Sequence, residues 1–203
     1  MKIAVTGASG RAGSSITAEL ARRGHSVTAI ARNPERIAKL ANVAAVAGDA
    51  NDRAALAKLW AGHDAAVSSI HFLASDVETL IGAAKDSAVP RYLVVGGAGS
   101  LEVSPGVRLV TTPNFPAQYK AEAEKGAAFL DRLHREKELN WTFLSPSALF
   151  EPGSRTGKFR LGDDQLLVDS AGKSWISFED FAVAIVDEIE RPAHLRKRFT
   201  VGY

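Results

Sequence analysis

The chain has 203 residues, 46% apolar and 24% charged, proportions that suit a soluble globular domain able to bury a sizeable core. Twenty-five lysines and arginines against 23 acidic residues leave a net charge of +2, which gives no reason to expect a nucleic-acid or membrane surface. The absence of cysteine excludes disulfides, thiolate metal sites and cysteine nucleophiles. The start MKIAVT is unlike a signal peptide, and no stretch approaches the roughly 20 apolar residues of a membrane helix, so a cytoplasmic protein is expected.

Short β-rich runs alternate with helical ones. Ile3 to Thr6 reads as a buried strand, followed by a glycine-rich turn and a helix with Ala12, Ile16 and Leu20 on one face, stopped at Gly24. Ser26 to Ala31 supplies a second strand, and a short helix starts near Pro34, a residue favoured at the first helical position. Ala44 to Ala47 is a third strand, and Asp52 to Trp60 a helix ending near Gly62. Ala65 to Ser68 gives the fourth strand, before a helix that opens with Ser75 and Glu78 at capping-box spacing. Arg91 to Val95 is the fifth, running into the glycine-rich segment Gly96 to Ser100. A helix from about Pro116 to Glu136 precedes the strand Trp141 to Ser145. Ser177 and Asp180 repeat the capping spacing before a helix that aligns Phe181, Ile185 and Ile189. The basic run from His194 to Arg198 reads as a solvated helix end, and a strand from Arg198 to Val201 closes the chain.

Strands separated by helices pair in parallel through right-handed crossovers. The expected architecture is therefore one α/β domain over residues 1–203: a Rossmann-type doubly wound, mostly parallel sheet with helices on both faces. Two segments, near 104–114 and 151–175, break the alternation. They follow strand ends, the side on which such sheets bind ligands, and are assigned to the substrate side.

The most informative motif is Gly7-Ala8-Ser9-Gly10-Arg11-Ala12-Gly13, between the first strand and its helix. A diphosphate needs close backbone approach, unpaired N–H groups and the positive end of a helix dipole, and this junction supplies all three. The spacing is GxxGxxG, and the flanking strand and helix make it a dinucleotide motif rather than a structural turn. The second strand ends in Ala31-Arg32-Asn33, without the acidic residue that would bind an adenosine ribose. Arg32 can offer a planar fork to a 2′-phosphate, with Arg11 or Arg36 assisting, so NADPH is favoured over NADH. Asp49 follows the third strand, where it could accept the adenine amino group or cap the next helix. Ser68, Ser69 and Ile70 end the fourth strand beside the expected ribose, and Gly96 ends the fifth.

These motifs resemble the atypical short-chain dehydrogenase/reductase superfamily and, more narrowly, the NAD(P)H-binding NADH-flavin reductase family, relatives of biliverdin reductase B. The resemblance spans nearly the whole chain and is carried by TGASGRAGS at 6–14, ARNPER at 31–36, GDA at 48–50, VVGGAGSLEV at 94–103, WTFLSPSALFEPG at 141–153 and GKSWISFEDFAVAIVDEIE at 172–190. Carried over by position, it implies that Gly7, Ser9, Gly10, Arg11, Ala12, Arg32, Asp49, Ala50, Ser69, Ile70, Gly97 and Pro146 line the cofactor. The chain departs from the superfamily at the Tyr-x-x-x-Lys proton relay. Tyr119 is the best candidate tyrosine, but Ala123 stands four residues later, and Gly97 stands where many members have serine.

Hydride transfer to a flavin needs no such relay, because the redox reactivity belongs to the cofactors. Phe72, Phe115, Phe150 and Trp175 are candidate walls of an acceptor pocket, with core packing the competing role for each. His71, after the fourth strand, could donate a hydrogen bond or a proton, and with Tyr119 completes the candidate catalytic set. The other histidines lack metal-site spacing, and Gly172-Lys173-Ser174 lacks the first glycine of an ATP-binding loop. The expected activity is an NAD(P)H-dependent oxidoreductase passing hydride to a small-molecule acceptor: FMN or FAD, a quinone, or a tetrapyrrole. The alternatives are a non-catalytic NADP-sensing regulator and a sugar epimerase or dehydratase. The last is disfavoured by the incomplete relay and the short C-terminal part. The sequence leaves the oligomeric state open.

Overall fold

Strands that are apolar on both faces are satisfied only between two layers of helices. In the computed structural model, which describes residues 1–203, the chain runs through β1 (Lys2–Thr6), α1 (Arg11–Arg22), β2 (Ser26–Ala31), β3 (Val43–Ala47), α2 (Arg53–Trp60) and β4 (Ala65–Ser68). It continues through α3 (Val77–Asp86), β5 (Tyr92–Val95), β6 (Glu102–Ser104), β7 (Val107–Arg108), α4 (Ala117–His134) and β8 (Trp141–Pro146). The last elements are β9 (Leu149–Glu151), β10 (Arg160–Gly162), β11 (Trp175–Ser177), α5 (Phe178–Glu190) and β12 (Lys197–Gly202).

Eight strands form one sheet in the order β10-β12-β8-β5-β4-β1-β2-β3. Every neighbouring pair is parallel except β10 on β12, an antiparallel edge. Alternation along the strands splits the core in two. Ile3 and Val5 of β1 face Ile16 and Leu20 of α1 and Phe181, Ile185 and Ile189 of α5. Ala4, Ala66 and Phe143 face Trp60 of α2, Leu80 of α3, and Phe129 and Leu133 of α4. The sheet is thus doubly wound, and its order reverses at β1, between β2 and β4, where a crevice opens at the carboxyl ends of the strands.

Local chemistry sets the helix ends, with three departures from expectation. Asp52 caps α2 by accepting the Ala55 N–H at 3.0 Å, and Ser177 caps α5 by accepting that of Asp180 at 3.0 Å. The cap of α3 is Asp76, not Ser75: its carboxylate takes the Thr79 N–H at 2.8 Å, while the Ser75 hydroxyl donates back to the His71 carbonyl. Pro34 opens only a single 3₁₀ turn, Pro34–Arg36, because extended Ile37 then buries its side chain in the core. The run from His194 to Arg198 is not a solvated helix end. The helix stops at Glu190, His194 pairs with Glu188 at 2.8 Å, and Arg198 lies in β12 with its guanidinium buried against Asp164 and Ser100. Sheet pairing outweighs local charge there.

Candidate functional site

The junction of β1 and α1 is built from backbone. Gly7 has φ +85°, and its N–H donates to the Ile30 carbonyl of β2 at 2.9 Å. A Cβ on Gly7 would lie 2.1 Å from the Ser69 carbonyl oxygen, and one on Gly13 would lie 2.1 Å from that of Gly7, so both positions require glycine. Gly10 caps α1 without a side chain. The amides of Ser9, Arg11, Ala12 and Gly13 have no acceptor within the protein. Unsatisfied N–H groups at the positive end of a 12-residue helix are the chemistry a diphosphate takes.

Two adjoining cavities follow the strand ends from this loop. The first, about 180 Å³, is lined by Gly7, Ser9, Gly10, Arg32, Asp49, Ala50, Ser69, Ile70 and His71, together with Gly48, Asn51 and Ala74. Asp49 does not cap the next helix. Its Oδ1 accepts the Asn51 N–H at 2.9 Å, and Asn51 Nδ2 donates to the Ala74 carbonyl at 3.0 Å, tying the end of β3 to the loop after β4. The second cavity, about 550 Å³, shares Ser9, Gly10, Ser69, Ile70 and His71 with the first, so the two form one cleft. It adds Arg11, Ala12, Arg36, Phe72, Val95, Gly96, Glu122, Phe150 and Phe178. Arg11, Arg32 and Arg36 make no ion pair with any carboxylate of the protein. Phe150 packs on Phe178 at 4.5 Å between ring centroids and on Phe181 at 4.7 Å, so one aromatic cluster is both wall and core.

Sequence reasoning missed Asn51, Phe178 and Glu122. Glu122 projects from α4, and its carboxylate accepts the N–H of Phe72 at 2.7 Å and of Leu73 at 2.9 Å, with His71 Nδ1 at 3.3 Å. No local pattern could have revealed it, because its partners lie 49 to 51 residues away.

Several expected residues stand outside the cleft. The Ser68 hydroxyl turns into the protein and bonds the buried Tyr92 hydroxyl at 3.0 Å. Gly97 and Pro146 line neither cavity; a Cβ on Gly97 would instead meet the Phe72 ring at 3.7 Å. Tyr119 is 62% exposed in the first turn of α4, which no other element covers, and Lys120 turns to Glu124 at 4.0 Å, so no tyrosine–lysine relay is assembled. Of the expected aromatic walls, Phe72 and Phe150 line the cleft and Phe115 does not. Trp175 is engaged by Tyr203 and Lys173. Neither 104–114 nor 151–175 contributes to the lining; Arg108 ties the former to Asp131 of α4 at 2.7 Å.

The far end of α1 is held by charge. Glu19 is 4% exposed and contacts Arg22, Arg23 and Arg155. Burial pushes its carboxyl up, but the hydrogen bonds from Arg155, Arg22 and Arg23 outweigh this and hold it well below the usual carboxylate range. Arg23 continues to Asp187 and Glu190 of α5, at 2.7 Å each. The helix that aims its amides into the cleft is thus fixed to α5 and to the loop at Arg155.

A glycine loop with free amides, set at the reversal point of a doubly wound sheet, defines the dinucleotide-binding class of α/β proteins. Residues 7–192 match the model of the NAD(P)H-binding family, and the chain belongs to that family. Three solved structures are similar over the whole chain. A “putative exported protein” of Burkholderia pseudomallei is 45% identical, with TM-score 0.91, and is covered over 100% of its length. A “putative epimerase” of Bacteroides thetaiotaomicron is 39% identical, with TM-score 0.95 and 96% covered. A “putative NADH-flavin reductase” of Streptococcus pneumoniae is 33% identical, with TM-score 0.85 and 99% covered. No helix is long and apolar enough to cross a membrane.

Proposed function

We propose that this protein is an NADPH-dependent reductase that passes hydride to a planar acceptor, a flavin or a quinone. The observation that carries the reading is the two-part cleft: Arg32 and Asp49 line the first cavity, Ser9 and Gly10 of the loop with free amides line both, and Phe150 and Phe178 wall the second beside Arg11 and Arg36. Ser9, Arg11, Ala12 and Gly13 would hold the diphosphate through backbone N–H groups. Arg32, in the first cavity with no carboxylate partner, favours a 2′-phosphate over a bare ribose. Asp49 and Asn51 stand at the same end to meet the adenine. When bound, the dinucleotide supplies the hydride. The protein's task in the second cavity is to hold an acceptor ring against Phe150, in the space that Val95 and Gly96 also line.

The name of the Streptococcus relative agrees with this reading, and that of the Bacteroides relative points to epimerisation. Epimerisation through a tyrosine–lysine relay finds no support here, since Tyr119 stands outside the cleft and Lys120 turns to Glu124. The test is saturable binding of NADPH, tighter than NADH, followed by NADPH oxidation on adding FMN, FAD or a quinone. Binding without turnover on any acceptor would replace the reductase by a dinucleotide-sensing regulator. Absence of binding would overturn both.

A further inference from the structure

Reduction of a flavin or quinone by hydride leaves the acceptor short of one proton. We propose that His71 donates that proton, and that Glu122 is the positioning residue that aims it. The proposal rests on the reductase reading.

His71 is the only ionisable side chain that lines both cavities, so it stands where the dinucleotide end meets the acceptor end. Its ring is 88% exposed, open to re-protonation from water. The Glu122 carboxylate gathers three partners from one short loop: Nδ1 of His71 and the amides of Phe72 and Leu73. A carboxylate on Nδ1 keeps that nitrogen protonated and leaves Nε2–H free to point into the cleft. The amide bonds also fix the loop against α4, so the imidazole is held by its backbone as well as its ring. Phe72, next in the chain, is locked in the core against Phe129 and Phe143 at 5.5 and 6.2 Å between centroids. The other charged groups facing His71 across the cleft are Arg11 and Arg36 on the acceptor side, and Arg32 and Asp49 on the dinucleotide side. Among all of these, Glu122 alone touches it.

The balance closes without a further reagent. Hydride carries two electrons and one proton from the dinucleotide to the acceptor; the Nε2–H bond of His71 breaks and its proton goes to the heteroatom on which negative charge collects. Neutral His71 then takes a proton from solvent.

The test compares the full-length protein with His71→Gln, Glu122→Gln and Glu122→Ala. Wild-type kcat with FMN and with a soluble benzoquinone is expected to fall with rising pH, because only the protonated imidazole can donate. In His71→Gln this limb disappears and kcat at pH 6 drops by about tenfold or more. Glu122→Ala keeps the limb but lowers kcat, and Glu122→Gln, which retains one acceptor oxygen, recovers part of the loss. The readout independent of turnover is histidine NMR. The His71 ring signals, assigned by their loss in His71→Gln, shift when FMN is added with NADP⁺. A pH limb that survives in His71→Gln, ring signals indifferent to FMN, or full kcat in Glu122→Ala would each overturn the proposal while leaving a working reductase. Absence of NADPH turnover in the wild type would instead remove the functional reading and this proposal with it. Should Glu122→Ala fail to fold, the solvent-facing His71→Gln still decides.

Discussion

The two ends of the cleft are made of different material. At the β1–α1 loop the surface is backbone: four free amides, a left-handed Gly7 and a Gly13 that leaves no room for a side chain. Along the second cavity they are side chains drawn from distant places, among them the loop after β4, β5, α4, β9 and the start of α5. A backbone site fails as a whole when its path is blocked, whereas a side-chain site can be changed one contact at a time. One sheet can thus keep a fixed backbone loop at its first turn while the side-chain wall beside it varies.

The sharpest way to break the backbone end is Gly13→Val. With a Cβ already at 2.1 Å from the Gly7 carbonyl oxygen, the loop must move. Calorimetric titration should show NADPH affinity falling by roughly a hundredfold or more, with about 1–3 kcal/mol lost from denaturant unfolding. Next in size is Arg32→Glu, which places a carboxylate where a 2′-phosphate is expected. The ratio of NADPH to NADH affinity should drop by about 10- to 100-fold and reverse; an unchanged ratio would remove Arg32 from coenzyme selection.

At the other end, Phe150→Ala should raise KM for FMN by about tenfold, with the NADPH dissociation constant nearly unmoved. Equal losses in both would mean that the two ends are not separable. Smaller still is an effect on the anchor of α1. The folded Glu19 carboxyl lies below its ordinary value of 4.5, so its contribution is present above that pH and lost as pH falls. Thermal melts from pH 6 to pH 3 should fall more steeply for wild type than for Glu19→Gln, by a few degrees (about 2–4 °C per kcal/mol). The smallest effect belongs to Tyr119→Phe, which should leave turnover unchanged, because that side chain is exposed and makes no hydrogen bond in the cleft.

Much of this molecule is legible from short stretches of chain. The alternation of β1 to β5 with helices, the Gly7 to Gly13 turn, and the Ser177 cap depend on residues within a few positions of one another. Arg32, Asp49, Ser69 and Ile70 follow because each sits at a fixed offset from a strand end. Reading failed where a nearer or stronger partner won: Asp76 over Ser75 at a cap, β12 pairing over charge at Arg198, and the Tyr92 hydroxyl over the cleft at Ser68.

The sequence by itself determined the doubly wound sheet and the glycine turn with unpaired amides after its first strand, since strand period, helix period and glycine geometry are properties of neighbouring residues. Only the tertiary structure decided that Glu122 reaches the loop at His71, that Phe178 joins Phe150 in the wall, and that Tyr119 stays in water. Those outcomes depend on where helices land after packing, and a side chain fifty residues away leaves no trace in local periodicity.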